Sequence, residues 1–64
     1  MLKNRVKEVR KDLKLSQEAL SEKSGVARSI ISEIESNKHV PNVGVALRLS
    51  KALSVSVEDL FVIL

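Results

Sequence analysis

The side chains in this sequence that could support covalent or metal chemistry are few and poorly spaced for it. The chain holds no cysteine and a single histidine, His39, so no thiolate nucleophile and no His/Cys metal set can be assembled. HExxH, CxxC and glycine-rich phosphate cradles do not occur in it. Glu33 and Glu35 adjoin, but two residues apart on a helix they face apart and cannot share a reacting group. An enzyme is not expected, and neither is a cofactor or a metal. What remains is hydrogen-bonding chemistry: Arg28, Ser29, Ser32 and Glu33 fall together on what reads as the outer face of one short helix.

Two helices and a tight turn must position that face. In QEALSEKSGVARSIISEIE, residues 17–35, Ser16 is a good N-cap for the first helix, and Glu18 complements its positive end. Leu15 and Leu20 have the spacing of a hydrophobic staple. Ser24-Gly25 ends the helix, because glycine enters the left-handed region without a Cβ clash. Val26 and Ile31 repeat the staple around Ala27, so a second helix starts at about Arg28 with Ile31 and Ile34 inward. Two helices joined by about four residues, the second presenting a polar outer face, form a helix-turn-helix pattern.

This run resembles the helix-turn-helix of the lambda-repressor-like (Xre/Cro) DNA-binding family. The family pattern is Gln, then Leu-Ala, Gly-Val, a polar helix start, two aliphatics and an Ile-Glu-x-Gly ending. Here it stands as Gln17, Leu20-Ser21, Gly25-Val26, Arg28-Ser29, Ile31 and Ile34-Glu35. The flanking segments keep the same register, and the resemblance covers about residues 2 to 61. Three positions depart from it: Ser21 for Ala, Ala27 for Ser or Thr, and Asn37 for Gly.

The resemblance implies double-stranded DNA as partner, with Arg28, Ser29, Ser32 and Glu33 reaching base edges in the major groove. Arg28 is suited to guanine O6 and N7, and Glu33 either to cytosine N4 or to excluding wrong sequences. Ile30 can touch a thymine methyl. Phosphate contacts are implied for Gln17, at a helix start that favours an anion, and for Asn37, Lys38 and His39 in the loop that follows. The resemblance also pairs Arg10 with Glu35 as a structural ion pair.

The rest of the chain reads as one small domain, residues 1–64, of all-α, compact five-helix, lambda-repressor-like class. Sixty-four residues lie near the lower limit for a self-sufficient core. Leu2, Val6, Val9 and Leu13 make one apolar stripe at helical period, predicting a first helix from about Leu2 to Leu13. Arg10 sits on its edge, and Lys3, Lys7, Lys11 and Lys14 on a wet face. Pro41 forces extended backbone before it, Asn42 caps a fourth helix over about 43–53, and Ser56 caps a last one from about Val57. The chain closes on an apolar run, Phe61-Val62-Ile63-Leu64.

Composition sets the remaining bounds. Apolar residues are 44% and charged residues 30% of the chain, which argues against disorder. No run is long enough to span a bilayer, and Met1 leads into a charged amphipathic stretch rather than a signal peptide. With no cysteine, an intracellular setting is expected, and the resemblance implies a cytoplasmic, nucleoid-associated regulator. The net charge of +3 permits nucleic-acid binding. Its distribution is uneven, +4 within residues 1–14 and −1 over residues 15–64. The single aromatic residue, Phe61, excludes stacking platforms for single strands.

The function expected is therefore a sequence-specific regulator of transcription, a repressor binding a palindromic operator as a homodimer, with Phe61, Val62, Ile63 and Leu64 as the interface and no small-molecule site. The alternative is a protein-interaction module, such as an antitoxin or antirepressor built on the same fold.

Overall fold

Three side-chain oxygens start three of the helices. Ser16, Asn42 and Ser56 lie in extended backbone, and each accepts the N–H three residues on: Ala19 at 2.9 Å, Val45 at 2.9 Å and Asp59 at 3.1 Å. They open α2 (Gln17–Ser24), α4 (Val43–Leu53) and α5 (Val57–Leu60), where free N–H groups need partners. α3 (Arg28–Glu35) follows Ala27, which offers no such bond. In the computed structural model, which describes residues 2–64, α1 (Val6–Asp12) completes the five helices. The reading of Met1 lies outside the described residues.

The first helix is shorter than the apolar stripe predicts. Leu2–Asn4 forms β1, antiparallel to β2 (Phe61–Ile63), with Leu2 opposite Ile63, Lys3 opposite Val62 and Asn4 opposite Phe61. Two interactions stop the helix from reaching back to Leu2. The Asn4 side chain accepts the Val6 N–H at 3.2 Å, and the Arg5 N–H is drawn to the Leu60 carbonyl at 2.9 Å. β2 also brings the Phe-Val-Ile sequence, which suits a strand better than a helix. At the other end α1 stops at Asp12, so Leu13 leaves the buried stripe and stands 48% exposed.

Four of the helices end by turning into the left-handed region. Gly25 does so after α2 (φ 74°), with its N–H on the Ser21 carbonyl at 2.9 Å. A Cβ there would lie 3.0 Å from the Arg48 guanidinium. After α1, α3 and α4 the same bend is made by Lys14, Asn37 and Ser54. Each of these ends is a Schellman motif. The pairs of bonds are Lys14 N–H to Lys11 O with Leu15 N–H to Arg10 O, Asn37 to Ile34 with Lys38 to Glu33, and Ser54 to Lys51 with Val55 to Ser50.

These ends fold the helices around one core of Val6, Val9, Leu20, Val26, Ile31, Ile34, Leu49, Ala52, Leu53 and Leu60, with Leu15, Ile30, Val45, Val55 and Phe61 against it. α2 packs on α3 and α4, and α1 also touches both. The helix-turn-helix bend is held by serines. Ser21 donates to the Val26 carbonyl at 2.6 Å, and buried Ser24 accepts the Val26 N–H at 3.2 Å. Ser21 thus uses its hydroxyl to fix the turn, which an alanine at this position could not do.

A left-handed residue with a Cβ costs about 1–2 kcal/mol where glycine would cost little. Ser54 is exposed, so Ser54→Gly is expected to raise stability by about 1 kcal/mol, or the melting midpoint by roughly 4–8 °C. Ser54→Ala retains the strain and should give no gain. Thermal melts followed by circular dichroism would read both.

Candidate nucleic-acid interface

α3 is strongly two-sided. Ile31 and Ile34 are fully buried, while Arg28, Ser29, Ser32 and Glu33 are all exposed. The four side chains proposed to meet bases therefore share one wet face. Ile30 is half-buried against the core, which leaves it little reach toward a groove.

Behind this face lies the Arg10–Glu35 pair. Arg10 Nε and Nη2 donate to Glu35 Oε2 and Oε1 at 2.8 and 3.1 Å, a two-pronged geometry. Arg10 Nη1 donates to the Leu15 carbonyl at 2.8 Å. The side chains are only 10% and 5% exposed. The arginine therefore joins α1, the turn into α2 and the last residue of α3. Among the described residues, no buried side-chain polar atom lacks a partner.

Glu35 feels opposing influences. Burial pushes its carboxyl up; hydrogen bonds from Arg10 and Gln17 and the charges of Arg10 and Lys7 outweigh this and hold it below the ordinary glutamate value. The hydrogen bond to Glu35 raises Arg10 despite burial. Both groups are charged at neutral pH.

Gln17 belongs to the same network. Its Nε2 donates to Glu35 Oε1 at 3.0 Å. An amide nitrogen carries two hydrogens, so the anchored side chain keeps a donor to offer outward, beside the N–H groups that open α2. Gln17, Ser32, Ser36 and Glu35 line one shallow recess together with Lys7. Lys7 is a residue the sequence reading left on a merely wet face. The signal for it was present: Lys7 precedes Arg10 by one helical turn and shares its side of α1.

The loop after α3 carries Asn37, Lys38 and His39, all exposed. Asn37 makes the left-handed bend, and its Oδ1 accepts from Asn4 Nδ2 at 3.1 Å. Asn4 is a second residue missed from sequence, because its contacts with the end of α3 lie thirty or more residues away. Phe61 borders the loop, lining a small recess with Asn37 and His39, and Leu64 lines another with Lys7, Glu35 and Asn37; none of Phe61, Val62, Ile63 and Leu64 lies on α3 or in that loop. They lie on and just after β2, with Phe61 against the core and Ile63 and Leu64 84% and 70% exposed.

Removing one partner of a buried pair strands the other charge, so Glu35→Ala should cost roughly 3–5 kcal/mol, most of the stability of so small a domain. Joint replacement by Arg10→Met and Glu35→Leu should restore most of it. Because folding holds Glu35 below its unfolded pKa, the folded state binds that proton less readily. Its contribution is complete above about pH 4.3 and is lost as pH falls below that value. Urea titrations at pH 7 and pH 3 should show a fall in the wild type that is smaller in the double variant.

Comparison with known proteins agrees with this geometry. The helix-turn-helix family model matches residues 6–60. The uncharacterized HTH-type transcriptional regulator YgzD of Bacillus subtilis (strain 168) is 43% identical over 60 residues, covering 94% of this chain and 91% of that protein. The uncharacterized HTH-type transcriptional regulator MJ0272 of Methanocaldococcus jannaschii is 38% identical over 61 residues, covering 95% and 92%. Among solved structures, the restriction-modification controller protein C.AhdI from Aeromonas hydrophila superposes with a TM-score of 0.82 at 31% identity, over 86% of this chain and 83% of that one. With its α2–turn–α3 unit and this coverage, the chain belongs to the helix-turn-helix family of DNA-binding transcriptional regulators.

Proposed function

We propose that this chain is a sequence-specific repressor that binds a palindromic operator in double-stranded DNA as a homodimer. The observation that carries the reading is the exposed polar face of α3, Arg28, Ser29, Ser32 and Glu33, held by a buried ion pair that also anchors Gln17 at the start of α2. Arg28 offers two parallel donors to a guanine edge, and the serines and Glu33 offer shorter-range contacts. Gln17, the α2 N-terminus and the Asn37–Lys38–His39 loop supply phosphate contacts, which fix register without reading sequence.

One such domain has few contacts, and a two-fold dimer doubles them. Support for the dimer comes from apolar surface exposed in the single chain. Ile63 and Leu64 are largely exposed, and so are Val43 and Leu47 on α4, at 75% and 54%. β2 and α4 both pack on α5, so α5 links the two exposed apolar stretches. Phe61 already serves the protomer's own core, which narrows the interface reading to Ile63 and Leu64, with Val62 half-buried beside them. The proposed setting is the cytoplasm, where such an operator would lie; among the described residues no helix is long and apolar enough to cross a membrane.

The reading is tested by selecting from random duplex DNA with purified protein at two salt concentrations. A palindromic consensus with half-sites about 34 Å apart is expected, with binding that weakens steeply as salt rises. An absence of enrichment would overturn the reading and favour a protein partner for the same fold. On the selected site, Arg28→Ala should cost about 1–3 kcal/mol and relax preference at one base position. An equal loss on all sequences would instead make Arg28 a phosphate contact.

A further inference from the structure

Asn4 ends β1, and its single side chain reaches three ways. Its Oδ1 accepts the Val6 backbone N–H at 3.2 Å, next to the start of α1. Its Nδ2 donates to the Ile34 carbonyl in the last turn of α3 at 2.9 Å and to Asn37 Oδ1 at 3.1 Å. A primary amide on a short arm supplies one acceptor and two donors; aspartate lacks the donors, and serine lacks the length and the second donor.

The end of α3 is built to be held there. The Ile34 carbonyl already receives the Asn37 N–H at 3.0 Å, so Asn4 binds the same oxygen from a second direction. Asn37 carries the left-handed bend. A glycine in that bend would present no side chain, whereas Asn37 presents one that β1 can grip. Beyond it Lys38, His39 and Val40 are exposed and in neither helix nor strand; the Lys38 N–H bonds the Glu33 carbonyl at 2.8 Å, and His39 and Val40 line a small recess with Asn4 and Asn37. The strut has a firm base: Asn4 pairs with Phe61 across the ribbon, Phe61 packs on the core, and the Arg5 N–H bonds the Leu60 carbonyl at 2.9 Å.

We infer that Asn4 is a positioning residue for DNA binding: by gripping Ile34 and Asn37 it sets the direction in which Lys38 and His39 leave the reading helix, so that they meet the phosphate backbone without first being ordered. The inference rests on the DNA-binding reading above. It assigns Asn4 to affinity rather than to base choice, because phosphate contacts carry no sequence information and a loop ordered in advance loses less freedom on binding.

Asn4→Ser tests this, since serine retains an oxygen for the Val6 N–H, adds no charge and cannot span to α3. Binding is measured on the selected duplex and on random duplex across a salt series, with circular dichroism as the check on folding. The variant should fold and melt cooperatively. Its affinity should fall by about tenfold on both duplexes alike, with base preference unchanged and the slope of log affinity against log salt shallower by about 0.9, one phosphate contact. With Asn37→Gly already in place, the acceptor is gone, and Asn4→Ser should cost less than it does in the wild type. Wild-type affinity and slope in folded Asn4→Ser would overturn the inference, and so would an undiminished effect beside Asn37→Gly. If Asn4→Ser melts below the assay temperature, Asn37→Gly alone, which removes the tether and the left-handed strain together, should still show the shallower slope; an unchanged slope would overturn the inference. If the wild type itself selects no duplex, the DNA reading falls and this inference with it; loss of the predicted Asn4 effect in a wild type that does select one removes this inference alone.

Discussion

The bidentate contact of Arg10 with Glu35 is the constraint on which the rest of the site depends. Two opposite charges with side chains 10% and 5% exposed are stable only if their donors and acceptors are met, and here four different parts of the chain take part. Arg10 comes from α1, the Leu15 carbonyl from the turn into α2, Gln17 from the first residue of α2, and Glu35 from the last residue of α3. Such a pair adds little net stability over an apolar replacement. Its effect is on geometry: α3 cannot rotate about its own axis or slide along α2 without breaking a charge-assisted bond. The exposed polar face of α3 and the α2 start are thereby held in one fixed arrangement.

Each end of α3 is also held by polar bonds of its own. At its start, Ala27 gives no side-chain cap, and the turn before it is fixed instead by Ser21 and Ser24 on Val26. At its end, the Schellman bonds of Asn37 and Lys38 and the side chain of Asn4 close the last turn. A chain of 64 residues has few core side chains to spare, so short-range polar bonds at helix ends take over work that a larger domain would leave to packing. Lys14 and Ser54 hold left-handed bends that a glycine would hold with less strain, which is stability left unused.

Much of this was legible in the sequence where the determining residues are neighbours. Ser16, Asn42 and Ser56 cap as their spacing requires, Gly25 makes the bend, and the Ile31–Ile34 stripe orients α3. The pairing of Arg10 with Glu35 was legible only through family resemblance, since nothing local joins residues that far apart. The ribbon was not legible. Leu2 fits the period of a helix as well as that of a strand, and what decides between them is the Phe61–Ile63 segment at the opposite end of the chain. Asn4 was missed for the same reason: it is ordinary beside its own neighbours, and acquires a role only when α3 is folded against it. Phe61 illustrates the converse. In an unbroken apolar run it looks equivalent to Ile63, and two residues apart in a strand they share a face, yet Phe61, next to buried Leu60, lies against the core while Ile63 stands clear of it.

α3, the start of α2 and the Asn37–His39 loop are proposed to act as one surface toward DNA. The most direct measurement is a titration of 15N-labelled protein with its selected duplex, followed by amide NMR shifts. Saturable perturbations are expected at Arg28, Ser29, Ser32 and Glu33, at Gln17, and at Asn37 through His39, with the α5 and α4 interiors unchanged. Perturbations confined to Val43, Leu47, Ile63 and Leu64, with α3 silent, would contradict it and place the contact on the apolar side of the fold.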